Sequence, residues 1–146
     1  MKMNRRRLFV DTGHFRALVD SDDEFHSVAI AWRDHLKASP CYLVTTTAVL
    51  LELGNRFAKP AAFRTVMPVL KSVLADERLM VFPIELDAIK LAMQYREKMH
   101  DKSWGLVDCT SFLLMKSRGI TEALACDRHF LQAGFRALLR EGLPVK

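Results

Sequence analysis

The sequence contains few of the residues that build disulfide-stapled or zinc-binding proteins. Its 146 residues include three cysteines, Cys41, Cys109 and Cys126, and no two of them have zinc-finger spacing. Three dispersed cysteines do not make a disulfide framework, which favours a reducing compartment. The five histidines show no metal-ligand spacing either. At 50% hydrophobic and 27% charged residues, the composition is that of a globular protein with enough apolar side chains for a core.

Long apolar runs are also missing from the sequence. None approaches the roughly 18–20 residues of a membrane-spanning helix. The segment 1–7 is basic, but the apolar run 8–10 stops at Asp11, which is not the pattern of a signal peptide. We therefore expect a cytoplasmic protein without membrane contact. The sequence has no repeats and no Ser/Gly linker, so residues 1–146 are predicted to form a single domain.

The charge balance points weakly to an acidic partner. Twenty-two Lys and Arg against seventeen Asp and Glu give a net charge of +5. An excess of positive charge favours binding to RNA or DNA, although many basic proteins bind neither.

Short apolar runs alternate with longer amphipathic segments. The runs predicted as strands are residues 8–10, 42–45, 79–82 and 123–126, with a weak fifth run near Leu138. The helical stripes predicted to face the core are Phe25, Val28, Trp32 and Leu36; Val49, Leu50, Leu53 and Phe57; Phe63, Met67, Leu70 and Leu74; Leu86, Ile89, Met93 and Met99; and Leu106, Cys109, Leu113 and Met115, the last on a helix that begins near Ser103. This alternation predicts an α/β protein with a mostly parallel sheet.

Four carboxylates occupy positions where such a sheet could bring them together. Asp11 and Asp127 follow predicted strands, and the carboxyl ends of parallel strands meet at one edge of the sheet. Glu52 lies at the edge of a helical stripe, and Asp108 lies in the first turns of a helix. Each has an ordinary explanation: a helix N-cap for Asp11 and Asp127, a solvated side chain for Glu52, and a favourable helix-terminal charge for Asp108. As a cluster they would need a counter-charge, and oxygen ligands favour Mg²⁺ or Mn²⁺ over zinc.

Four sequence blocks, in order, resemble those of a known family. The blocks are Phe9-Val10-Asp11-Thr12, Val49-Leu50-Leu51-Glu52-Leu53 with Asn55 shortly after it, Trp104-Gly105-Leu106-Val107-Asp108-Cys109, and Leu124-Ala125-Cys126-Asp127-Arg128-His129-Phe130. In this order the chain resembles the PIN-domain ribonucleases, and among them the toxins of VapBC-type toxin–antitoxin pairs. The resemblance extends from Leu8 to about Gly142.

The resemblance implies a fold, an activity and partners. The implied fold is a three-layer sandwich whose five-stranded parallel sheet has the strand order 3-2-1-4-5. The implied activity is a Mg²⁺-dependent endoribonuclease, with Mn²⁺ as a substitute, that hydrolyses RNA phosphodiester bonds. The implied partners are the RNA substrate, a second copy in a homodimer, and a small antitoxin. Two alternatives stay open: a PIN-like housekeeping nuclease for RNA processing without an antitoxin, and a catalytically silent binding module.

The resemblance also implies roles for individual residues. Asp11 and Asp108 would be the principal metal ligands, Glu52 a ligand or the base that orients water, and Asp127 a ligand directly or through water. Asp101 would be an outer member of the cluster.

The sequence departs from the family pattern at three positions. Gly105 stands where Ser or Thr is common, Cys126 where Thr is frequent, and His129 where a second acidic residue is common. We expect Cys126 to be a small buried residue rather than a thiol nucleophile. We expect His129 to be a solvated loop residue, and Arg96 and Arg128 to form surface ion pairs unless they steer RNA.

Overall fold

A computed structural model of the chain describes residues 5–144, so that residues 1–4 of the basic start and residues 145–146 lie outside it. Strands and helices alternate as the sequence predicts, with one or two helices between successive strands. The strands are β1 (Arg7–Val10), β2 (Tyr42–Thr46), β3 (Leu79–Phe82), β4 (Glu122–Leu124) and β5 (Arg136–Ala137). The helices are α1 (Thr12–Val19), α2 (His26–Ala38), α3 (Thr47–Arg56), α4 (Pro60–Ala75), α5 (Leu86–Lys98), α6 (Leu106–Arg118) and α7 (Arg128–Gln132), followed by a 3-10 turn (Leu138–Arg140).

The five strands form one parallel sheet in the order β3-β2-β1-β4-β5, which confirms the predicted fold class and strand order. The chain moves outward from β1 to β3 and then crosses back to β4 on the other side of β1. Because crossovers between parallel strands are right-handed, this reversal places helices on opposite faces of the sheet. The switch point lies between β1 and β4, where ligands of such sheets bind.

Local sequence signals explain where several helices begin and end. The Thr46 hydroxyl accepts a hydrogen bond of 3.1 Å from the Val49 backbone N–H and thereby caps the start of α3. Pro60 opens α4, where its missing N–H costs nothing. Gly119 ends α6 at a φ of 65°, a left-handed conformation that suits glycine. The predicted start of α6 near Ser103 was three residues early, since the first helical residue is Leu106.

The core is built mainly from the central strands and from α6. Leu8, Phe9 and Leu124 in the strands are completely buried, as are Phe112 and Met115 in α6. The stripes predicted for α2 and α3 are confirmed by buried Trp32, Leu36, Val49 and Leu53. Cys126 is buried as predicted, although β4 ends two residues before it.

The buried faces predicted for α4 and α5 were wrong in part, since only Leu70 and Met99 of the residues predicted there pack against the core. In α4 the buried residues are Val66 and Val73, whereas Phe63 and Leu74 are exposed. Apolar side chains surround most of α4, so that their spacing did not single out one face.

In α5 the buried residue is Ala92, whereas the larger Leu86, Ile89 and Met93 are exposed on one helical stripe. A small residue allows a helix to pack closely, so the face with the largest side chains need not face the core. Within residues 5–144, no helix combines the length and the apolar character that crossing a bilayer requires.

Candidate metal and catalytic site

Hydrogen bonds of the Asp11 backbone N–H and of the Val10 carbonyl hold Asp11 at the switch point. Its backbone N–H donates a 3.1 Å hydrogen bond to the Leu124 carbonyl of β4. The buried Thr45 hydroxyl donates a 2.7 Å hydrogen bond to the carbonyl of Val10, the residue before Asp11. The strands on both sides of β1 therefore hold the position from which the Asp11 carboxylate projects.

The Asp11 side chain does not serve as a helix cap. It occupies the N-cap position of α1 but accepts no capping hydrogen bond from that helix, and it is 7% exposed. A buried carboxylate without this ordinary structural task is a stronger candidate for a functional group than a capping aspartate.

Asp127 and Asp108 both serve as helix-terminal acceptors. Asp127 caps α7 by accepting a 2.9 Å hydrogen bond from the His129 backbone N–H. Asp108, in the first turn of α6, accepts a 3.2 Å hydrogen bond from the Gly105 backbone N–H. The structural explanations considered for these two residues are thus correct. Each carboxylate has two oxygens with several lone pairs, so these bonds leave acceptor capacity for a ligand.

All four candidate carboxylates line one pocket of about 380 Å³. Its lining comprises Asp11, Thr12, Gly13, Arg16, Glu52, Asn55, Arg56, Asp108, Cys126 and Asp127. Asp101 is not among them: its side chain is 64% exposed and lies 3.5 Å from Lys102 Nζ. The structure therefore brings the four principal candidates together and leaves Asp101 outside.

Glu52 has a specific partner in the pocket. The Thr12 hydroxyl donates a 2.6 Å hydrogen bond to Glu52 Oε1, and this bond connects the first residue of α1 with α3. The interaction orients an otherwise exposed carboxylate toward the end of the sheet. Sequence reasoning missed this role of Thr12, although its position directly after Asp11 was a usable signal.

Without a bound cation, the pocket disfavours ionisation of the Asp11 and Asp108 carboxyl groups. Burial raises the pKa of Asp11 to about 7, and the charges of Asp108, Glu52 and Asp127 add to the rise, whereas the adjacent Thr12 backbone N–H opposes it. Burial also raises the pKa of Asp108, while its hydrogen bond to His129 opposes this change. Oxygen donors whose ionisation is costly without a counter-charge fit a hard divalent cation such as Mg²⁺ or Mn²⁺.

His129 is a member of this cluster, contrary to the expectation of a solvated loop residue. Its Nδ1 lies 3.0 Å from Asp108 Oδ2 and 3.3 Å from Asp127 Oδ1. One donor atom from each of Asp108, Asp127 and His129 lies within 4.8 Å of the other two, a spacing that could hold a metal ion. The sequence signal for this placement was its position two residues after Asp127.

Two arginines border the acidic pocket. Arg16 Nε donates a 3.0 Å hydrogen bond to Asp23 Oδ2, and Arg16 also approaches Cys126 Sγ at 3.6 Å. Arg16 and Arg56 line both this pocket and a neighbouring one of about 600 Å³. Positive side chains on the rim of an acidic pocket are suitably placed for the phosphates of a nucleic acid.

Two other residues considered from the sequence have structural roles. Arg96 donates hydrogen bonds to the backbone carbonyls of Trp104 and Met99, at 2.8 and 2.9 Å, and so fixes the connection between α5 and α6. The structure thus replaces the expected surface ion pair of Arg96 by hydrogen bonds to two backbone carbonyls. Burial raises the pKa of the Cys126 thiol, which makes it a poor nucleophile at neutral pH.

Comparison with known proteins places this arrangement in a family. The family model described as PIN domain matches residues 8–136. The chain is 31% identical over 133 residues to the 23S rRNA-specific endonuclease VapC20 of Mycobacterium tuberculosis, covering 88% of this chain and 95% of that protein. The structure of that relative, a sarcin–ricin loop cleaving toxin, matches with a TM-score of 0.77 and 27% identity, over 89% of this chain and 97% of that one.

A more distant structure has the same fold. The crystal structure of FitAcB from Neisseria gonorrhoeae matches with a TM-score of 0.60 and 18% identity, over 88% of this chain and 94% of that one. The family match spans most of the chain, from β1 to the start of β5, and includes the four carboxylates of the pocket. The chain belongs to the PIN domain family.

Proposed function

We propose that this protein is a metal-dependent endoribonuclease that hydrolyses RNA phosphodiester bonds and acts as the toxin of a toxin–antitoxin pair. The observation that carries the proposal is the gathering of Asp11, Glu52, Asp108 and Asp127 in one pocket with arginines on its rim. Similarity over nearly the whole chain to an endonuclease that acts on ribosomal RNA supports the substrate class.

The surroundings of each carboxylate indicate whether it binds the metal or activates water. Asp11 and Asp108, both raised in pKa by burial, are the principal ligands for Mg²⁺ or Mn²⁺, and Asp127 completes the set directly or through water. A divalent cation in such a site lowers the pKa of water and offsets the charge of the leaving oxygen. Glu52, held by the Thr12 hydroxyl, is the group that orients the attacking water or removes its proton.

The arginines bind the substrate. A phosphodiester brought to four carboxylates is repelled by them, so its approach needs positive charge close by. Arg56 supplies that charge from α3, and Arg16 adds to it from α1, although its ion pair with Asp23 offsets part of its charge. The net charge of +5 adds a weaker attraction for RNA.

The protein works with two protein partners, a second copy of itself and a small antitoxin. Support for the second copy comes from α5, where Leu86, Ile89 and Met93 are 63%, 39% and 49% exposed on one stripe. Contiguous apolar surface of this kind marks association sites. The antitoxin assignment rests on the similarity to VapC20. Three free, buried cysteines suit the reducing cytoplasm, and we treat residues 1–146 as one functional domain.

Cleavage of RNA by the purified protein tests the proposal. Total RNA is incubated with Mg²⁺ or Mn²⁺, with an EDTA control and the variants Asp11→Asn and Asp108→Asn. Asp101→Asn is the matched control, because it removes an acidic side chain outside the pocket. We expect discrete fragments from the wild type and from Asp101→Asn only. Cleavage that survives both pocket variants contradicts the proposed site, and a wild type that neither cuts RNA nor binds Mn²⁺ contradicts the proposed activity.

Expression in cells separates the toxin from a housekeeping nuclease. A toxin arrests growth when it is expressed alone, and co-expression of its antitoxin relieves the arrest. Normal growth of cells that express an active wild-type enzyme contradicts the toxin assignment and leaves the nuclease assignment intact.

A further inference from the structure

We propose that His129 is a nitrogen ligand of the metal and makes the site prefer Mn²⁺ over Mg²⁺. The inference rests on the proposed metal-dependent function and refines it, because it concerns which cation the pocket selects.

Contacts at the N-termini of α7 and α6 determine the position of His129. Its backbone N–H donates the 2.9 Å hydrogen bond that caps α7, which ties the residue to Asp127. Its ring reaches across to Asp108 in the first turn of α6. The side chain is 25% exposed, and that of Asp108 is 19% exposed. The imidazole is thus held inside the cluster rather than extended into solvent.

The distances match those between neighbouring ligands of one ion. In an octahedral shell with metal–ligand distances near 2.1 Å, adjacent donor atoms are about 3.0 Å apart. His129 Nδ1 lies 3.0 Å from Asp108 Oδ2 and 3.3 Å from Asp127 Oδ1. A single N–H shared between the two oxygens accounts for both contacts while the imidazole keeps this proton. Once the proton has left Nδ1, the same three donor atoms lie close enough together to hold one ion.

The chemistry of the donors then sets the preference for the ion. Mg²⁺ is a hard cation that favours oxygen ligands and retains its water shell. Imidazole nitrogen suits later first-row ions, and the affinity of a given site increases from Mn²⁺ toward Ni²⁺. A cluster of two aspartates and one histidine therefore favours Mn²⁺, and Co²⁺ still more, over Mg²⁺ when it is compared with an all-carboxylate cluster.

The alternative role for His129 is to position Asp108 through a hydrogen bond without touching the ion. His129→Asn separates the two roles, because the asparagine amide lies near the place of Nδ1 and keeps an N–H for Asp108 but has no imidazole lone pair. His129→Asp supplies an oxygen ligand instead. His35→Asn is the matched control, since His35 packs edge-on against Trp32 in α2, with ring centroids 5.5 Å apart.

Mn²⁺ binding measured by electron paramagnetic resonance tests the proposal without reference to activity. Protein labelled with ¹⁵N only at histidine is titrated with Mn²⁺, with and without competing Mg²⁺, and pulsed spectra report directly bound nitrogen. We expect ¹⁵N coupling in the wild type and in His35→Asn, and its loss in His129→Asn together with at least about tenfold weaker Mn²⁺ binding. His129→Asp should bind Mg²⁺ at least as well as the wild type and lose the preference for Mn²⁺.

Three results would overturn the proposal. They are wild-type spectra without ¹⁵N coupling, coupling that persists in His129→Asn, and wild-type Mn²⁺ affinity in His129→Asn, which assigns the residue to positioning. In each case Mn²⁺ binding that is lost in Asp108→Asn leaves the proposed metal-dependent function intact. A wild type that binds no Mn²⁺ at all refutes both.

Discussion

Replacing Asp11 with asparagine should stabilise the metal-free protein at alkaline pH. The pKa of Asp11 is raised from 3.8 to about 7 in the folded state. Between pH 3.8 and about 7, Asp11 therefore carries a proton in the folded protein but not in the unfolded chain. The free energy of unfolding falls as the pH rises through this range. About three pKa units correspond to about 4 kcal/mol, all of which is lost above pH 7. Asparagine has nearly the same shape and carries no charge.

The size of the effect can be measured by thermal unfolding in EDTA at pH 5 and pH 8. At pH 8 the free energy of unfolding of Asp11→Asn should exceed that of the wild type by up to about 4 kcal/mol, about 10 °C in melting temperature for a chain of this length. At pH 5 most of the folded wild type carries the proton, so the difference should fall below about 2 kcal/mol. Saturating Mn²⁺ at pH 8 should stabilise the wild type and not the variant.

Another buried group titrates in the same range but does not disturb this comparison. Burial lowers the pKa of His14 from 6.5 to about 4, so the unfolded chain gains a proton first and stability falls as pH decreases from about 6.5 toward 4. This effect is common to the wild type and to Asp11→Asn and cancels in their difference. A variant that is less stable than the wild type at pH 8, or a difference that does not change with pH, would refute the reasoning.

The remaining predictions concern contacts around the site and on α5. Thr12→Val removes the 2.6 Å hydrogen bond to Glu52 and should slow RNA cleavage about tenfold while Mn²⁺ affinity stays constant. An unchanged cleavage rate would show that catalysis does not need the Thr12 hydroxyl. Gly13→Ala places a Cβ 2.6 Å from Cys126 Sγ and should cost about 1–3 kcal/mol in chemical denaturation. Gly13→Ala with Cys126→Ala should recover most of that loss, and a purely additive pair would contradict the clash. Ile89→Glu should convert a dimer to a monomer in light scattering, whereas Lys71→Glu, at an exposed position of α4, should not. A dimer that survives Ile89→Glu excludes this face of α5 as the dimer interface.

The sequence predicted the positions of the carboxylates better than their surroundings. Asp11 follows a short apolar strand, and parallel strands end at one edge, so this part of the site follows from topology. The sequence places His129 and Thr12 near the site, because each lies within two residues of a candidate carboxylate. It does not predict their partners, since the contact of His129 with Asp108 depends on how α7 is oriented against α6. The hydrogen bond from Thr12 to Glu52 likewise joins residues forty positions apart on two helices.

The sequence was least successful in predicting which face of each helix packs against the core. Apolar spacing marks every apolar stripe on a helix, whereas burial is decided by the neighbouring elements. In α5 the buried residue is the small Ala92, and the larger stripe that includes Ile89 is exposed. Such an error carries information, since a large apolar face turned away from the core is a candidate contact surface.

The close approach of Gly13 to Cys126 has a consequence for how the pocket receives its ion. In this contact the Cys126 side chain packs against the Gly13 backbone, two residues after Asp11 and one residue before Asp127, and so helps to set the distance between the two chain segments that carry these carboxylates. The contact involves no charged group, so it should be insensitive to ionic strength. The carboxylates are therefore preorganised, and cation binding costs little conformational entropy. Repulsion between these carboxylates destabilises the folded protein, and binding of the ion removes this repulsion.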